Sequence, residues 1–311
     1  MQQITDTIVM VRPVNFRMNE QTAVNNYYQK VIVGISQEKV QSNAEKEFDV
    51  FVEKLRDVGI NVIVIQDTKK PDTPDSIFPN NWISFHENGT VALYPMFAEN
   101  RRLERREDFL EQIEKQGFII ENIVDYSSAE EEHVFLEGTG SLLLDRVNRK
   151  AYCGLSERAD ENLLIEFCED FEFTPVIFTA YQTVDGKRLP IYHTNVLMAL
   201  AENFAIICLD AIDDKKERKN VLKHLKEDAK EIIVITEKQV EHFAGNMLQL
   251  RSQLGNKFMV MSTAAHQSLT QKQLQAIEKH CEILSSSLAT IEACGGGSAR
   301  CMMADLFLQK V

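Results

Sequence analysis

Three residues of this sequence have the side chains of a thiol-dependent transfer site: Cys301, His193 and Glu137. Cys301 ends the segment GGGSARC (295–301), in which the glycines permit positive φ angles and close approach of the backbone to a substrate. The apolar run that follows predicts a helix beginning at the thiol. A helix N-terminus lowers the pKa of a thiol and so makes it a nucleophile. Cys294 is the alternative thiol, and a glycine-rich turn with a buried cysteine is the structural alternative.

His193 and Glu137 supply the other two functions that such a site needs. His193 precedes the apolar segment TNVLMAL, and the ordinary histidine pKa of about 6.5 suits proton transfer near neutrality. Glu137 precedes GTG, whose small residues leave room for a ligand beside the carboxylate. The carboxylate either orients a nitrogen-rich substrate or holds His193. The remaining histidines are interpreted as surface residues, namely His86, His133, His224, His242, His266 and His280.

A repeated pattern of elements positions these residues. Residues 81–96, 137–155, 193–210 and 246–263 each begin with a polar residue and then show two short apolar strands joined by a turn, which is a hairpin pattern. A charged segment of helical period and a further strand follow each hairpin, so the unit is hairpin, helix, strand. A fifth unit combines the segment at Cys301, the strand TIVMVRP, a helix over residues 44–59 and the strand INVIVIQ.

The polar residues that open the five units recur at intervals of 53 to 56 residues. They are Asn81, Glu137, His193, Asn246 and Cys301. Five equivalent units in a ring bring these positions together at its centre. The set contains a thiol, an imidazole and a carboxylate, which favours a catalytic centre over a chance spacing of polar residues.

Composition excludes several other function classes. The 311 residues carry a net charge of −13, which argues against nucleic acid as a partner. No apolar run approaches the roughly 20 residues of a membrane helix, and the start of the sequence lacks a secretion-signal pattern, so no membrane partner is expected. Six dispersed cysteines without C-x-x-C spacing predict reduced thiols in a cytoplasmic protein.

Four motifs resemble the guanidino-group-modifying enzymes of the pentein superfamily, which include arginine deiminases, dimethylarginine dimethylaminohydrolases and amidinotransferases. They are FPNN (78–81), EGTG (137–140), HTN (193–195) and GGGSARC (295–301), in the family's order over nearly the whole chain. The segment MVRPVNF (10–16) is most similar to the branch named citrulline utilisation hydrolases.

The resemblance implies a single pentein catalytic domain over residues 1–311. Its fold would be a five-bladed, pseudo-five-fold α/β propeller built from ββαβ modules. Cys301 would be the nucleophile, His193 the general acid and base, and Glu137 the ligand of the substrate nitrogen. No metal or organic cofactor is implied. The partner would be a small ureido or guanidino amino acid, and self-association into a homo-oligomer is left open.

The resemblance also implies residues that bind the substrate. Arg158 in GLSER and Arg102 would bind the substrate α-carboxylate, since arginine pairs with a carboxylate through two hydrogen bonds. Asp75 in PDSIFPNN matches a further carboxylate near the pocket.

Asn81, with Asn80 before it, stands where deiminases carry the aspartate that binds the guanidinium. An amide offers both a donor and an acceptor, which suits a neutral ureido group better than a cation. The sequence therefore favours hydrolysis of citrulline to ornithine through a covalent thiol intermediate. Arginine deiminase and dimethylarginine dimethylaminohydrolase activities remain alternatives, as does amidinotransfer if an amine replaces water. A non-enzymatic binding factor of the same fold fits least, because Cys301, His193 and Glu137 are all present.

Overall fold

The computed structural model describes residues 2–310, which contain seventeen strands in five three-stranded sheets and one two-stranded hairpin. The strands in chain order are β1 (Thr7–Arg12), β2 (Asn61–Gln66), β3 (Ile83–Phe85), β4 (Thr90–Leu93), β5 (Asn122–Asp125), β6 (Leu142–Asp145), β7 (Lys150–Leu155), β8 (Thr174–Thr179), β9 (Tyr181–Val184), β10 (Lys187–Pro190), β11 (Met198–Leu200), β12 (Phe204–Ile207), β13 (Glu231–Val234), β14 (Leu248–Arg251), β15 (Lys257–Ser262), β16 (Glu282–Ser286) and β17 (Ala304–Asp305).

The helices lie between these strands. They are α1 (Gln37–Asp57), α2 (Glu99–Arg102), α3 (Glu107–Glu114), α4 (Gly138–Ser141), α5 (Glu161–Asp170), α6 (Thr194–Leu197), α7 (Lys215–Glu227), α8 (Glu237–Val240), α9 (Thr263–Ser268), α10 (Gln271–Glu278) and α11 (Ala289–Gly295). Short 3₁₀ turns occupy Pro79–Asn81, Ser127–Glu132, Leu209–Ala211 and Ala299–Met302.

All five three-stranded sheets have the same topology. Their strand orders are β3-β4-β5, β6-β7-β8, β11-β12-β13, β14-β15-β16 and β17-β1-β2. In each sheet the first two strands pair antiparallel, and a helical connection returns the third strand parallel to the second. The fifth sheet joins the two ends of the chain, with Ile8 opposite Asp305. The predicted ββαβ propeller is thereby confirmed.

Two predicted helices differ from the observed ones. The helix expected over 44–59 begins earlier, because the side chain of Ser36 accepts a hydrogen bond from the backbone N–H of Lys39 and caps the helix at that point. The charged segment after β4 is not one helix but two, α2 and α3. The break lies between Arg102 and Glu107, where the buried Arg101, which is 2% exposed, turns its guanidinium inward to Glu104.

The predicted hairpins also begin one element later than expected. A short helical turn precedes the first strand of four blades: Pro79–Asn81 before β3, α4 before β6, α6 before β11 and Ala299–Met302 before β17. Neighbouring turns contact one another around the centre of the molecule. These contacts bring together residues that are far apart in the sequence. No helix within residues 2–310 is long and apolar enough to cross a membrane.

Candidate active site

The helical turns surround a narrow buried cavity. Its wall consists of Thr22, Asn26, Asp75, Phe78, Asn81, Arg101, Arg158, Tyr192, His193, Gly295, Gly297 and Cys301. Five residues proposed from the sequence are in this set: Cys301, His193, Asn81, Asp75 and Arg158. Glu137 lies behind His193, while Asn80 and Arg102 are not on the wall.

The setting of Cys301 differs from the expected helix start. Cys301 lies inside the four-residue 3₁₀ turn Ala299–Met302, and β17 follows instead of a helix. The sulfur is buried and contacts two side-chain amides, those of Asn246 and Asn195, with Nδ2–Sγ distances of 3.1 and 3.5 Å. Cys294 lies on α11 among apolar side chains, and burial raises the pKa of its thiol.

His193 and Glu137 form a buried hydrogen-bonded pair. The Nε2 atom of His193 is 2.7 Å from Oε2 of Glu137, and Nη1 of Arg158 is 3.5 Å from the same oxygen. Burial alone would raise the pKa of Glu137, but Arg158 and then His193 outweigh it and hold that pKa at about 2. Burial lowers the pKa of His193 to about 4, although Glu137 opposes the shift. At neutral pH a neutral imidazole therefore faces a carboxylate, with its proton on Nε2 and a free lone pair on Nδ1.

The small residues after Glu137 make room for protein atoms, not for a ligand as the sequence suggested. A Cβ atom on Gly140 would lie 2.3 Å from Nδ2 of Asn81 and 2.9 Å from Nδ1 of His193. A Cβ atom on Gly138 would lie 2.5 Å from the carbonyl oxygen of Asn80, and Gly138 has a φ of +45°. These two glycines allow the 79–81 turn to pack on α4, which sets Asn81 beside His193.

The orientation of the Asn81 amide is fixed by Arg101. Nη1 of Arg101 donates to Oδ1 of Asn81 at 2.8 Å, while Nε and Nη2 bind the carboxylate of Glu104 at 2.9 and 3.0 Å. A guanidinium only donates hydrogen bonds, so the atom it contacts is the amide oxygen. This leaves Nδ2 of Asn81, which is buried and has no partner within residues 2–310, as the polar atom available to a ligand.

Arg102 points away from the cavity. Its Nε donates to the carbonyl oxygen of Met96 at 3.0 Å, and its guanidinium lies 3.5 Å from Glu130. The neighbouring Arg101 lines the cavity instead. The sequence shows two consecutive arginines, and only the rotational phase of α2 decides which one faces inward. The sequence therefore does not identify Arg101 as a residue of the cavity. The repeat contains Asn246 and the HTN motif contains Asn195, but neither pattern assigns these residues a role.

A segment without regular structure, residues 13–36, covers the cavity. Oδ2 of Asp75 accepts hydrogen bonds from Asn19 at 2.8 Å and Thr22 at 3.0 Å, while its Oδ1 is buried without a partner within residues 2–310. Arg158 donates from Nη2 to the carbonyl oxygen of Thr22 at 2.9 Å and from Nε to Asn25 at 3.0 Å. The cavity has a volume of about 20 Å³, which is room for about one water. An amino acid therefore enters only when this segment moves.

His86 is not the surface residue that the sequence suggested. It is 5% exposed, with its ring 4.2 Å from that of Phe171 and its Nε2 2.9 Å from the hydroxyl of Ser84. Burial keeps the pKa of this imidazole well below its ordinary value. It is a neutral packing residue away from the cavity wall. Within residues 2–310, no cluster of three or more His, Cys, Asp or Glu side chains could hold a metal ion.

Comparison with known families agrees with this arrangement. The sequence model of the family described as N,N dimethylarginine dimethylhydrolase, eukaryotic, matches residues 12–308. The chain belongs to this family. This membership confirms the predicted resemblance to the guanidino-group-modifying enzymes and a hydrolase as the class of enzyme. No curated protein sequence matched the chain significantly.

Solved structures show the same fold. Apo ArgZ, an arginine dihydrolase from the ornithine-ammonia cycle in cyanobacteria, matches with a TM-score of 0.73 and 17% identity over 98% of this chain and 41% of ArgZ. The chain thus spans about two fifths of that protein. The isolated N-terminal domain of ArgZ bound to product matches over 97% of this chain and 99% of the domain, at 17% identity and a TM-score of 0.71. A dimethylarginine dimethylaminohydrolase adduct with S-methyl-L-thiocitrulline matches at 13% identity and a TM-score of 0.63, covering 97% and 100% of the two chains. At these identities the likeness shows the fold.

Proposed function

We propose that this protein hydrolyses the ureido group of citrulline to give ornithine, with Cys301 as nucleophile and His193 as general acid and base. Residues 1–311 act as one catalytic domain in this proposal, and the chemistry uses no metal or organic cofactor. The six unpaired cysteines suit the reducing cytoplasm. The observation that carries the choice of substrate is the amide of Asn81, whose free atom is a hydrogen-bond donor.

The Nδ2 donor of Asn81 distinguishes a ureido group from a guanidinium group. A guanidinium presents only N–H groups, so Nδ2 of Asn81 has nothing on it to bind. A ureido group presents a carbonyl oxygen, which accepts from Nδ2. As a sulfur nucleophile adds to the ureido carbon, negative charge develops on that oxygen, and a fixed donor then stabilises the transition state. Arg101 keeps the amide in this orientation.

The reaction proceeds in two halves. Nδ1 of His193 takes the proton of Cys301, and the thiolate forms a bond to the ureido carbon. The bond from that carbon to the side-chain nitrogen of ornithine breaks, and the His193 imidazolium gives its proton to the leaving nitrogen. His193 then takes a proton from water, which attacks the remaining S-carbamoyl group and releases carbamate. Carbamate breaks down to ammonia and carbon dioxide, and Glu137 holds the imidazole throughout through the 2.7 Å contact.

The ends of the substrate match the charges of the cavity. Arg158 would bind the α-carboxylate after its present partners Thr22 and Asn25 have moved with the covering segment. Asp75, whose Oδ1 is free, suits the α-ammonium group. Arg102 is left out of the proposed site because its guanidinium is bound to Met96 and Glu130.

Arginine is the second candidate substrate. ArgZ, which shares the fold over 98% of this chain, is an arginine dihydrolase. Two successive hydrolyses at the same carbon would convert arginine first to citrulline and then to ornithine, and the second step is the one proposed above. The free carboxylate oxygen of Asp75 would be the only unpaired anionic atom on the cavity wall for such a cation, within residues 2–310.

Product analysis tests the proposal. Citrulline, arginine, dimethylarginine and agmatine are offered separately, and ornithine, citrulline and ammonia are quantified over time. We expect ornithine and ammonia in equal amounts from citrulline. Accumulation of citrulline from arginine or dimethylarginine, without ornithine, would show a deiminase or dimethylaminohydrolase. A transferase would give little product until an acceptor amine such as glycine is added.

Asn81→Asp is expected to shift specificity toward arginine. One oxygen of the new carboxylate keeps the contact with Arg101, but the other replaces the donor with a negative acceptor beside the carbonyl oxygen of citrulline. The ratio of kcat/KM for citrulline to that for arginine should fall by an amount equivalent to about 1–3 kcal/mol, the cost of one unsatisfied buried polar contact.

The exposed variant Asn88→Asp adds the same charge away from the cavity and serves as the control. It should leave the ratio unchanged. An unchanged ratio in Asn81→Asp as well, or a wild-type protein that prefers arginine, would show that Asn81 does not select substrates by their charge.

A further inference from the structure

Asn246 makes a closed set of contacts around Cys301. It is 1% exposed and lies in the turn between α8 and β14. Its Oδ1 accepts hydrogen bonds from the backbone N–H groups of Arg300 at 3.0 Å and Cys301 at 3.4 Å. Its Nδ2 donates to the carbonyl oxygen of Asn195 at 3.1 Å and to Sγ of Cys301 at 3.1 Å. Every hydrogen-bonding atom of this amide is therefore engaged.

These partners determine which way the amide faces. Backbone N–H groups can only donate and a backbone carbonyl can only accept, so exchanging Oδ1 and Nδ2 would place donor against donor and acceptor against acceptor. The atom that contacts the sulfur is consequently the NH₂ group. Nδ2 of Asn195, from the HTN motif, lies 3.5 Å from the same sulfur as a second donor.

The sequence predicted a helix N-terminus at the sulfur of Cys301. In the structure the sulfur instead contacts these two side-chain amides. A donor from a neutral amide adds little to a thiol, which is a weak acceptor, and binds a thiolate through a stronger, charge-assisted hydrogen bond. We propose that Asn246 is a catalytic residue that stabilises the thiolate of Cys301 and directs it, with Asn195 as a weaker second donor. The identity of Cys301 as the reacting thiol is part of the proposed function; the contacts of Asn246 are independent of the substrate.

The other charged or titratable groups near the sulfur come from every side of the cavity. They are Asp75, Arg101, Arg158, Tyr192 and His193, with Glu137 behind His193. The guanidinium of Arg300 is directed elsewhere, to the carbonyl oxygen of Met303 and the carboxylate of Asp305. None of these contacts involves Asn246, so a change at Asn246 can be tested with the surrounding charges in place.

Alkylation of Cys301 by iodoacetamide, without substrate, tests the proposal. The modified peptide is quantified by mass spectrometry across a pH range: the midpoint of the rate against pH reports ionisation of the thiol, and the plateau reports access. Asn246→Asp keeps an acceptor for the two backbone N–H groups and replaces the donor with a negatively charged oxygen that faces the sulfur and the carbonyl oxygen of Asn195. Its midpoint should move to higher pH by about one to two units. kcat/KM at neutral pH should fall at least about tenfold and recover partly at higher pH.

Asn195→Ala leaves the backbone contacts of Asn246 intact and is the second variant. Its midpoint should move in the same direction by a smaller amount. Asn203→Asp, at an exposed position, is the control for the change in net charge, while the neutral Asn195→Ala removes a donor without adding charge; Asn203→Asp should give the wild-type midpoint. Wild-type midpoints in both Asn195→Ala and a folded Asn246→Asp would overturn the proposal, even if citrulline is hydrolysed. Midpoints shifted to higher pH in both variants, including the uncharged Asn195→Ala, would support it even if citrulline proves not to be the substrate.

Discussion

Replacement of Cys301 by serine is expected to lower kcat/KM for citrulline by at least about 10⁴-fold, the scale seen when a nucleophile is removed from a catalytic set. A serine hydroxyl is far less acidic than a thiol, and the two amides that contact the sulfur cannot make it an anion at neutral pH. The side chain is nearly isosteric, and Cys301 is 4% exposed, so the fold and substrate binding should be retained. Steady-state kinetics, circular dichroism and substrate binding measured on the same preparation separate these effects.

Cys294→Ser is the matched control for this prediction. Cys294 is buried on the neighbouring helix α11 but does not line the cavity, so its replacement should leave turnover close to the wild-type rate. A chloroacetamidine reagent should label Cys301 in the wild-type protein, as shown by peptide mapping. Label on Cys294 or Cys153, or a Cys301→Ser protein that retains activity, would contradict the assignment of the nucleophile.

His193→Gln is expected to reduce kcat by at least about 10²-fold, the usual contribution of a general acid and base. The wild-type profile of kcat/KM against pH should be bell-shaped, with limbs that belong to the coupled groups of the cavity. His193 must be neutral to take the proton of the thiol, and its pKa is about 4. Activity should therefore fall only as the pH drops toward that value, well below the pKa of about 6.5 of an exposed histidine.

In His193→Gln the limb near pH 4 should disappear, because glutamine does not titrate, and the remaining rate should rise with pH as the thiol ionises without its base. The exposed His242→Gln variant provides the control and should keep both limbs and the wild-type rate. A near-normal rate in His193→Gln, or a limb near pH 4 that persists in it, would assign the proton transfer to another group.

The sequence predicts the fold well because each blade repeats the same short pattern. A polar residue, two apolar strands, a charged helix and a further strand recur every 53 to 56 residues. The apolar pattern of a strand and the period of a helix are local properties of the sequence. Because the same pattern occurs five times, each copy supports the assignment of the others. The same pattern also predicts the blade built from both ends of the chain, since β17, β1 and β2 occupy the first, second and third places in their sheet, as the corresponding strands do in the other four.

The finer features of the site depend on tertiary contacts that no local pattern contains. A run such as CMMADLF is compatible with a helix, and only the pairing of β17 with β1 makes the chain extended after Cys301. The choice between Arg101 and Arg102 depends on the phase of a four-residue helix, which is set by Glu104 and Asn81. The covering segment 13–36 has neither helix nor strand, so its contacts with the cavity appear only in three dimensions.

Rapid acid quenching during turnover tests the central claim most directly. The protein is mixed with citrulline, quenched within the first turnovers, digested and mapped by mass spectrometry. The account predicts that the peptide containing Cys301 carries the added mass of one carbamoyl group, that the adduct disappears as citrulline is consumed, and that Cys301→Ser never forms it. Ornithine production with no adduct on any cysteine, or with the adduct on Cys294, would contradict covalent hydrolysis of the ureido group by Cys301.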